Sequence, residues 1–237
     1  MRLPYYFTNT YLYTHYHTMK KAIIFGASGF IGSYLLQELL NSPDYALVTV
    51  VVRRPLALNH PKLNVLIGDY NSLPLLKQSI TGDDVFIALG TTKANTPDQQ
   101  LYYRVDHDYP VFAATIAKEN GATSVLLVSA VGPNADSKIF YIRTKGETER
   151  DIIALKYKYT HIFRPSMLMG NRTNEKRPME KFLIGLFRVI NPLFMGSISK
   201  FRGIEGKDVA KAMAHAAQQP HGAVNIYEWK EMKELVK

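Results

Sequence analysis

The 237-residue chain predicts an α/β fold, a doubly wound parallel sheet with a small C-terminal lobe. Three observations carry that reading. Short continuous apolar runs recur along the chain, as in strands buried on both faces. Between them lie stretches whose apolar residues fall at helical spacing. The first run, AIIFG, opens through three spaced glycines, Gly26, Gly29 and Gly32, into the first of those helices. Strands alternating with helices build a parallel sheet wrapped on both sides.

Each element follows in order. KAIIFG is the first strand. Ile31, Leu35, Leu36, Leu39 and Leu40 line one face of the helix behind it, which Asn41, Ser42 and Pro43 stop. YALVTVVV, LNVLIGDY and DDVFIALGTT read as strands two to four. Residues 97–121 read as a long helix ending at Gly121, with Pro110 starting a second segment or kinking it. SVLLVSAVG is strand five, YIRTKGETERDIIALKYK a helix despite Gly146, and YTHIFRPSMLMG strand six. Beyond it the pattern turns irregular, with helices expected in MEKFLIGLFRVINPL and IEGKDVAKAMAHAAQQP. Residues 19–165 therefore read as the main domain. Residues 166–237 read as a small substrate-covering lobe plus elements packed on the same domain.

Residues 1–18, rich in Tyr and Thr without clear periodicity, are expected to lie outside the fold. Their lack of an apolar core argues against a secretory signal in this segment, and none is expected. No apolar stretch is long enough to span a membrane. The absence of cysteine excludes disulfides, thiolate nucleophiles and cysteine-ligated metals, and suits a cytoplasmic protein. The net charge of +9 is concentrated: 16 Lys+Arg against 7 Asp+Glu lie between Lys138 and Lys211, and the remainder is neutral. That stretch predicts an anionic substrate or partner, with Lys176, Arg177 and Lys181 within it. No nucleic-acid-binding motif accompanies it.

The glycines sit where strand one enters its helix. Gly26 permits a tight turn, Gly29 lets backbone approach a pyrophosphate, and Gly32 lets helix pack on sheet. With Ser28, Phe30 and Ile31 they place a helix N-terminus against the phosphates of a dinucleotide. Strand two ends in Arg53 and Arg54, where a site for NAD(H) usually has an acid holding the ribose 2′-OH. A guanidinium suits a 2′-phosphate, so NADP(H) is expected over NAD(H). Asp69 stands where a carboxylate can accept from an adenine amino group, or act as an ordinary turn residue. Leu89, Gly90, Thr91 and Thr92 end strand four at the carboxyl edge, where such sheets bind ligands.

Ser129 ends strand five, and Tyr141 and Lys145 follow at a spacing of four, one face of a helix. A lysine beside a phenol lowers its pKa. Bringing a phenol from about 10 to neutrality takes roughly 4 kcal/mol. Ser129 would hold a substrate oxygen. His15 and His17 form the only close histidine pair, and no metal site is expected there. Asp106, His107 and Asp108 fall in a helical stretch where neighbours point apart, and are expected to be solvated, or to turn one of the three toward the cleft. No GxxxxGK[ST] phosphate loop is present.

GASGFIG, Ser129 and Tyr141-Ile-Arg-Thr-Lys145 together resemble the short-chain dehydrogenase/reductase superfamily. ALGTT, RVDHDY, SKIFYIRTKGETE and FRPSMLMGNR are similar to its atypical, Tat-interacting protein 30 type, with NmrA-type redox sensors more distant. The resemblance spans about residues 20–220 and leaves residues 1–18 unmatched. It implies an NADP(H)-binding Rossmann domain, a Ser129–Tyr141–Lys145 triad, and an Arg164-Pro165 segment leading past the nicotinamide. The expected function is NADPH-dependent reduction of a carbonyl or related group on a small molecule. A cofactor-binding redox sensor acting on a protein partner, and a sugar-nucleotide epimerase, are the alternatives. Monomer and dimer both stay open.

Overall fold

The computed structural model of the chain describes residues 19–170, 194, 196–219 and 221–237. The expected helix over 179–193, the histidine pair and Lys176, Arg177 and Lys181 lie outside the described residues.

In chain order the elements are β1 (Lys20–Phe25), α1 (Phe30–Asn41), β2 (Tyr45–Val52), β3 (Leu63–Ile67), α2 (Leu73–Leu76), β4 (Asp84–Ile87), α3 (Gln99–Tyr103), α4 (Tyr109–Glu119), β5 (Ser124–Val128) and α5 (Phe140–Ala154). β6 (Tyr159–Phe163), β7 (Leu168–Met169), β8 (Ile204–Glu205), α6 (Gly206–Gln218), β9 (Val224–Tyr227) and α7 (Trp229–Leu235) follow. Seven strands form one sheet in the order β3-β2-β1-β4-β5-β6-β9, every pairing parallel. β7 and β8 form a separate pair.

Side chains alternate across each strand, so one strand feeds two cores. Ile24, Val50, Phe86 and Leu126 face α1 and α6, whose Leu35, Leu39, Val209 and Met213 are completely buried. Ile23, Phe25, Val85 and Leu127 face the other way, against Ala113, Ile116 and Ala117 of α4. Burying each leucine contributes about 1.5–3 kcal/mol, so α1 is held chiefly by this stripe.

The strand order reverses between β1 and β4. Their carboxyl ends diverge there and leave a crevice, the position at which open α/β sheets take ligands.

Two features add detail to the sequence expectation. A seventh strand, β9, extends the sheet beyond β6, and α6 packs on α1 within the main core, so much of the C-terminal part belongs to the sheet's own body. The long helix is interrupted by a π-helical turn over residues 104–108, after which Pro110 stands in the first turn of α4. Pro110 has no N–H to give the carbonyl four residues back, that of Asp106. The Thr148 hydroxyl donates to that carbonyl instead, at 2.9 Å.

Candidate active site

The β1–α1 turn is dictated by close contact. Gly26 has φ +89°, and a Cβ there would stand 2.6 Å from the Ala88 carbonyl oxygen at the end of β4. A Cβ on Gly32 would stand 2.0 Å from the Gly26 carbonyl oxygen, so only glycine lets α1 start this close to the sheet. Gly29 caps α1 without a side-chain hydrogen bond, and no acidic residue occupies its first turn. The positive end of the helix is thus left to an external anion.

A cleft of about 680 Å³ opens from this turn. Ser28, Gly29, Phe30 and Ile31 form one wall, and Leu89, Gly90, Thr91 and Thr92 another. Ser129, Tyr141 and Lys145 line the same cleft, so the structure brings the three together with the glycine turn. Gly26 and Gly32 support the turn from behind. Arg53 and Arg54 are exposed just past the end of β2. Pro165 is buried, its carbonyl accepting from the Val131 N–H at 3.0 Å. Asp69 is exposed, and its Oδ1 accepts from the N–H groups of Asn71 and Ser72 and from the Ser72 hydroxyl. Those hydrogen bonds hold its carboxyl below the usual range, the behaviour of a turn aspartate.

Ser129 is buried, and its hydroxyl has no hydrogen-bond partner. A buried polar atom without a partner is costly unless a ligand completes it. That orphaned hydroxyl and the glycine cradle fit a nicotinamide dinucleotide with its substrate.

The electrostatics around Tyr141 correct the sequence expectation. Burial is the main influence and pushes the phenol up; Lys145 opposes it, and Asp106 raises it further. The lysine's bias toward phenolate is present but outweighed. Of the three residues in the Asp106-His107-Asp108 run, Asp106 is the one that faces the cleft. It is 1% exposed rather than solvated, and its Oδ1 lies 2.8 Å from Lys145 Nζ. Its Oδ2 accepts from the Thr91 N–H at 2.7 Å. Burial draws the Lys145 ammonium down, but Asp106, Tyr141 and Glu149 together hold it above its ordinary value, and it stays charged. His107 and Asp108 face elsewhere: the imidazole bridges Asp108 (2.8 Å) and Asp151 (2.9 Å). Asn95, Tyr34 and Leu168 also line the cleft without a motif to announce them.

Part of the basic excess is paired internally. Lys145 meets Asp106, Arg164 grips Glu149 through two nitrogens, and Arg150 meets Asp151. Among the described residues no group of acidic and histidine side chains is placed to hold a metal, and no helix is long and apolar enough to cross a membrane.

Residues 26–220 match the family described as NAD(P)H-binding. The chain is 31% identical over 226 residues to "Protein FMP52-1, mitochondrial" of Scheffersomyces stipitis, covering 91% of this chain and 98% of that one. It is 34% identical over 165 residues to "Protein HTATIP2" of Rattus norvegicus, covering 68% and 67%. Its backbone is similar to that of the Bordetella bronchiseptica enzyme WbmH in complex with NAD+, with a TM-score of 0.67 at 18% identity over 90% of this chain and 76% of that one. That likeness bears on the fold alone. The resemblance noted on sequence motifs and the doubly wound fold both stand. The cytoplasmic expectation does not: seven fungal relatives are named mitochondrial. Lack of cysteine rules out disulfides but does not choose between compartments.

Proposed function

Because this chain belongs to the NAD(P)H-binding family matched over residues 26–220, we propose that it is an NADPH-dependent oxidoreductase reducing a carbonyl or related group on a small molecule. The observation that carries the reading is the convergence of Ser129, Tyr141 and Lys145 on the cleft beside the β1–α1 glycine turn. When bound, the dihydronicotinamide supplies the hydride. The orphaned Ser129 hydroxyl donates to the substrate oxygen and fixes its position. Tyr141, 44% exposed on the cleft, delivers its proton to that oxygen as the carbon is reduced. Lys145 carries the charge that steadies the tyrosine's oxygen once the proton has left. Arg53 and Arg54 hold the 2′-phosphate, which favours NADPH over NADH.

The test is a fluorescence titration with NADPH and with NADH, followed by NADPH oxidation across a panel of aldehydes, ketones and quinones. Tighter binding of NADPH and turnover of at least one class are the expected results. Equal or tighter NADH binding contradicts the cofactor preference. Binding without turnover on any of them contradicts the enzyme and favours a cofactor-reporting regulator.

A further inference from the structure

Asp106 has no role in the proton transfer described above, yet it is the most completely enclosed charge beside it. We infer that Asp106 is a positioning residue that clamps Lys145 and so biases the site toward donating the Tyr141 proton rather than removing a proton from substrate. The inference rests on the reductase reading and adds its direction.

The clamp is built from three elements. The π-helical turn, residues 104–108, carries Asp106 inward. The loop after β4 gives its Thr91 N–H to Oδ2 at 2.7 Å. α5 supplies the Lys145 ammonium to Oδ1 at 2.8 Å and the Thr148 hydroxyl to the Asp106 carbonyl at 2.9 Å. A carboxylate fixed on both oxygens cannot swing away when the cleft fills.

The consequence is one of charge. A buried ammonium alone favours phenolate at a neighbouring tyrosine. An ammonium in contact with a buried carboxylate has part of its effect on the phenol offset, while enough charge is left to steady the oxygen once the proton has gone. The groups facing the pair are few. Tyr141 lies on α5 with Lys145, and Tyr102 faces them from α3. Glu149 lies one turn further along α5, and its charge is taken by Arg164. Burial raises the Tyr141 phenol most, Lys145 opposes it, and Asp106 adds to the rise, so Tyr141 stays a phenol. A phenol is the acid that reduction needs; oxidation of an alcohol needs the phenolate.

The test titrates Tyr141 directly, in the full chain with NADP+ bound, by NMR of ¹³Cζ-labelled tyrosine. The Tyr141 signal is identified by its loss in Tyr141→Phe. Asp106→Asn should lower the Tyr141 titration by about one pH unit or more, and Asp106→Glu should restore it. The double change Asp106→Asn with Lys145→Met removes both charges and should leave the titration near wild type, which keeps the test open if the single variant folds poorly. An unchanged or raised titration in Asp106→Asn, or a large shift in the double variant, overturns the inference. None of these readouts needs turnover. A chain that reduces nothing but shifts as described refutes the reductase reading alone, and a reductase whose Tyr141 ignores Asp106 refutes this inference alone.

Discussion

The two ends of the sheet each set a lysine against a buried aspartate, and each brings a tyrosine to the pair. At the amino end Lys20 Nζ lies 3.1 Å from Asp84 Oδ2, and the same oxygen accepts the Tyr45 hydroxyl at 2.6 Å. Lys20 also donates to the Ala217 carbonyl at 2.7 Å. Tyr45 is fully buried, and burial, then the Asp84 charge, drive its phenol far above its ordinary value. At the carboxyl end Lys145 meets Asp106, but Tyr141 lies open to the cleft and the Ser129 hydroxyl beside it is unpartnered. The chemical groups are the same. One set satisfies itself and joins β1, β2 and β4 to α6; the other leaves polar groups facing a cleft. A saturated buried network reads as structure, and an unsaturated one beside a glycine turn reads as a site.

The comparison breaks most sharply under one substitution made at both ends. Tyr141→Phe should cut turnover by roughly 10²–10⁴-fold with NADPH binding and melting temperature kept. Tyr45→Phe should leave turnover alone and cost about 1–3 kcal/mol, read by chemical denaturation, because Asp84 loses a buried donor. Equal effects of the two changes on turnover would erase the distinction.

A smaller effect sharpens the amino-end side. His161 is fully buried, its Nδ1 paired with the Tyr227 hydroxyl at 2.9 Å. Burial first, then the charges of His221 and Lys20, lower its pKa to about 4 from 6.5. The folded state therefore refuses a proton that the unfolded chain takes between those values. Stability from this group is complete above about 6.5 and falls as pH drops toward 4. Denaturation at pH 7 and pH 5 should differ by roughly 2 kcal/mol, and His161→Gln should remove that part of the slope. The smallest effect is at the carboxyl edge: Arg53→Ala with Arg54→Ala should weaken NADPH roughly tenfold and NADH hardly at all, read by fluorescence titration.

How much of this was legible follows from what each residue faces. β1, β2, β4, β5 and β6 announced themselves because burial on both sides makes a continuous apolar run, and the half-buried edge strand β3 because its apolar residues still cluster. The glycine turn was legible because backbone contacts of this closeness leave no room for another residue. β9 was not: it has four residues, and Val224 and Ile226 are 45% and 42% exposed, so it carries no signal of a buried strand. The burial of Asp106 was hidden by geometry. Helical spacing assigns faces by an α-helical period, and the π turn before Pro110 departs from it and brings the carboxylate to Lys145. The upward push on Tyr141 was hidden because its main cause is burial in the folded cleft wall, with Asp106 adding to it.

The central claim, that the carboxyl end of the sheet is where the cofactor binds, is tested most directly by amide hydrogen exchange of the full chain with and without NADPH. The account predicts slowed exchange over residues 26–33, 88–92 and 141–145, and no change around Lys20, Asp84 and Tyr45. Slowing confined to the amino end, or none at the glycine turn under saturating NADPH, would contradict it.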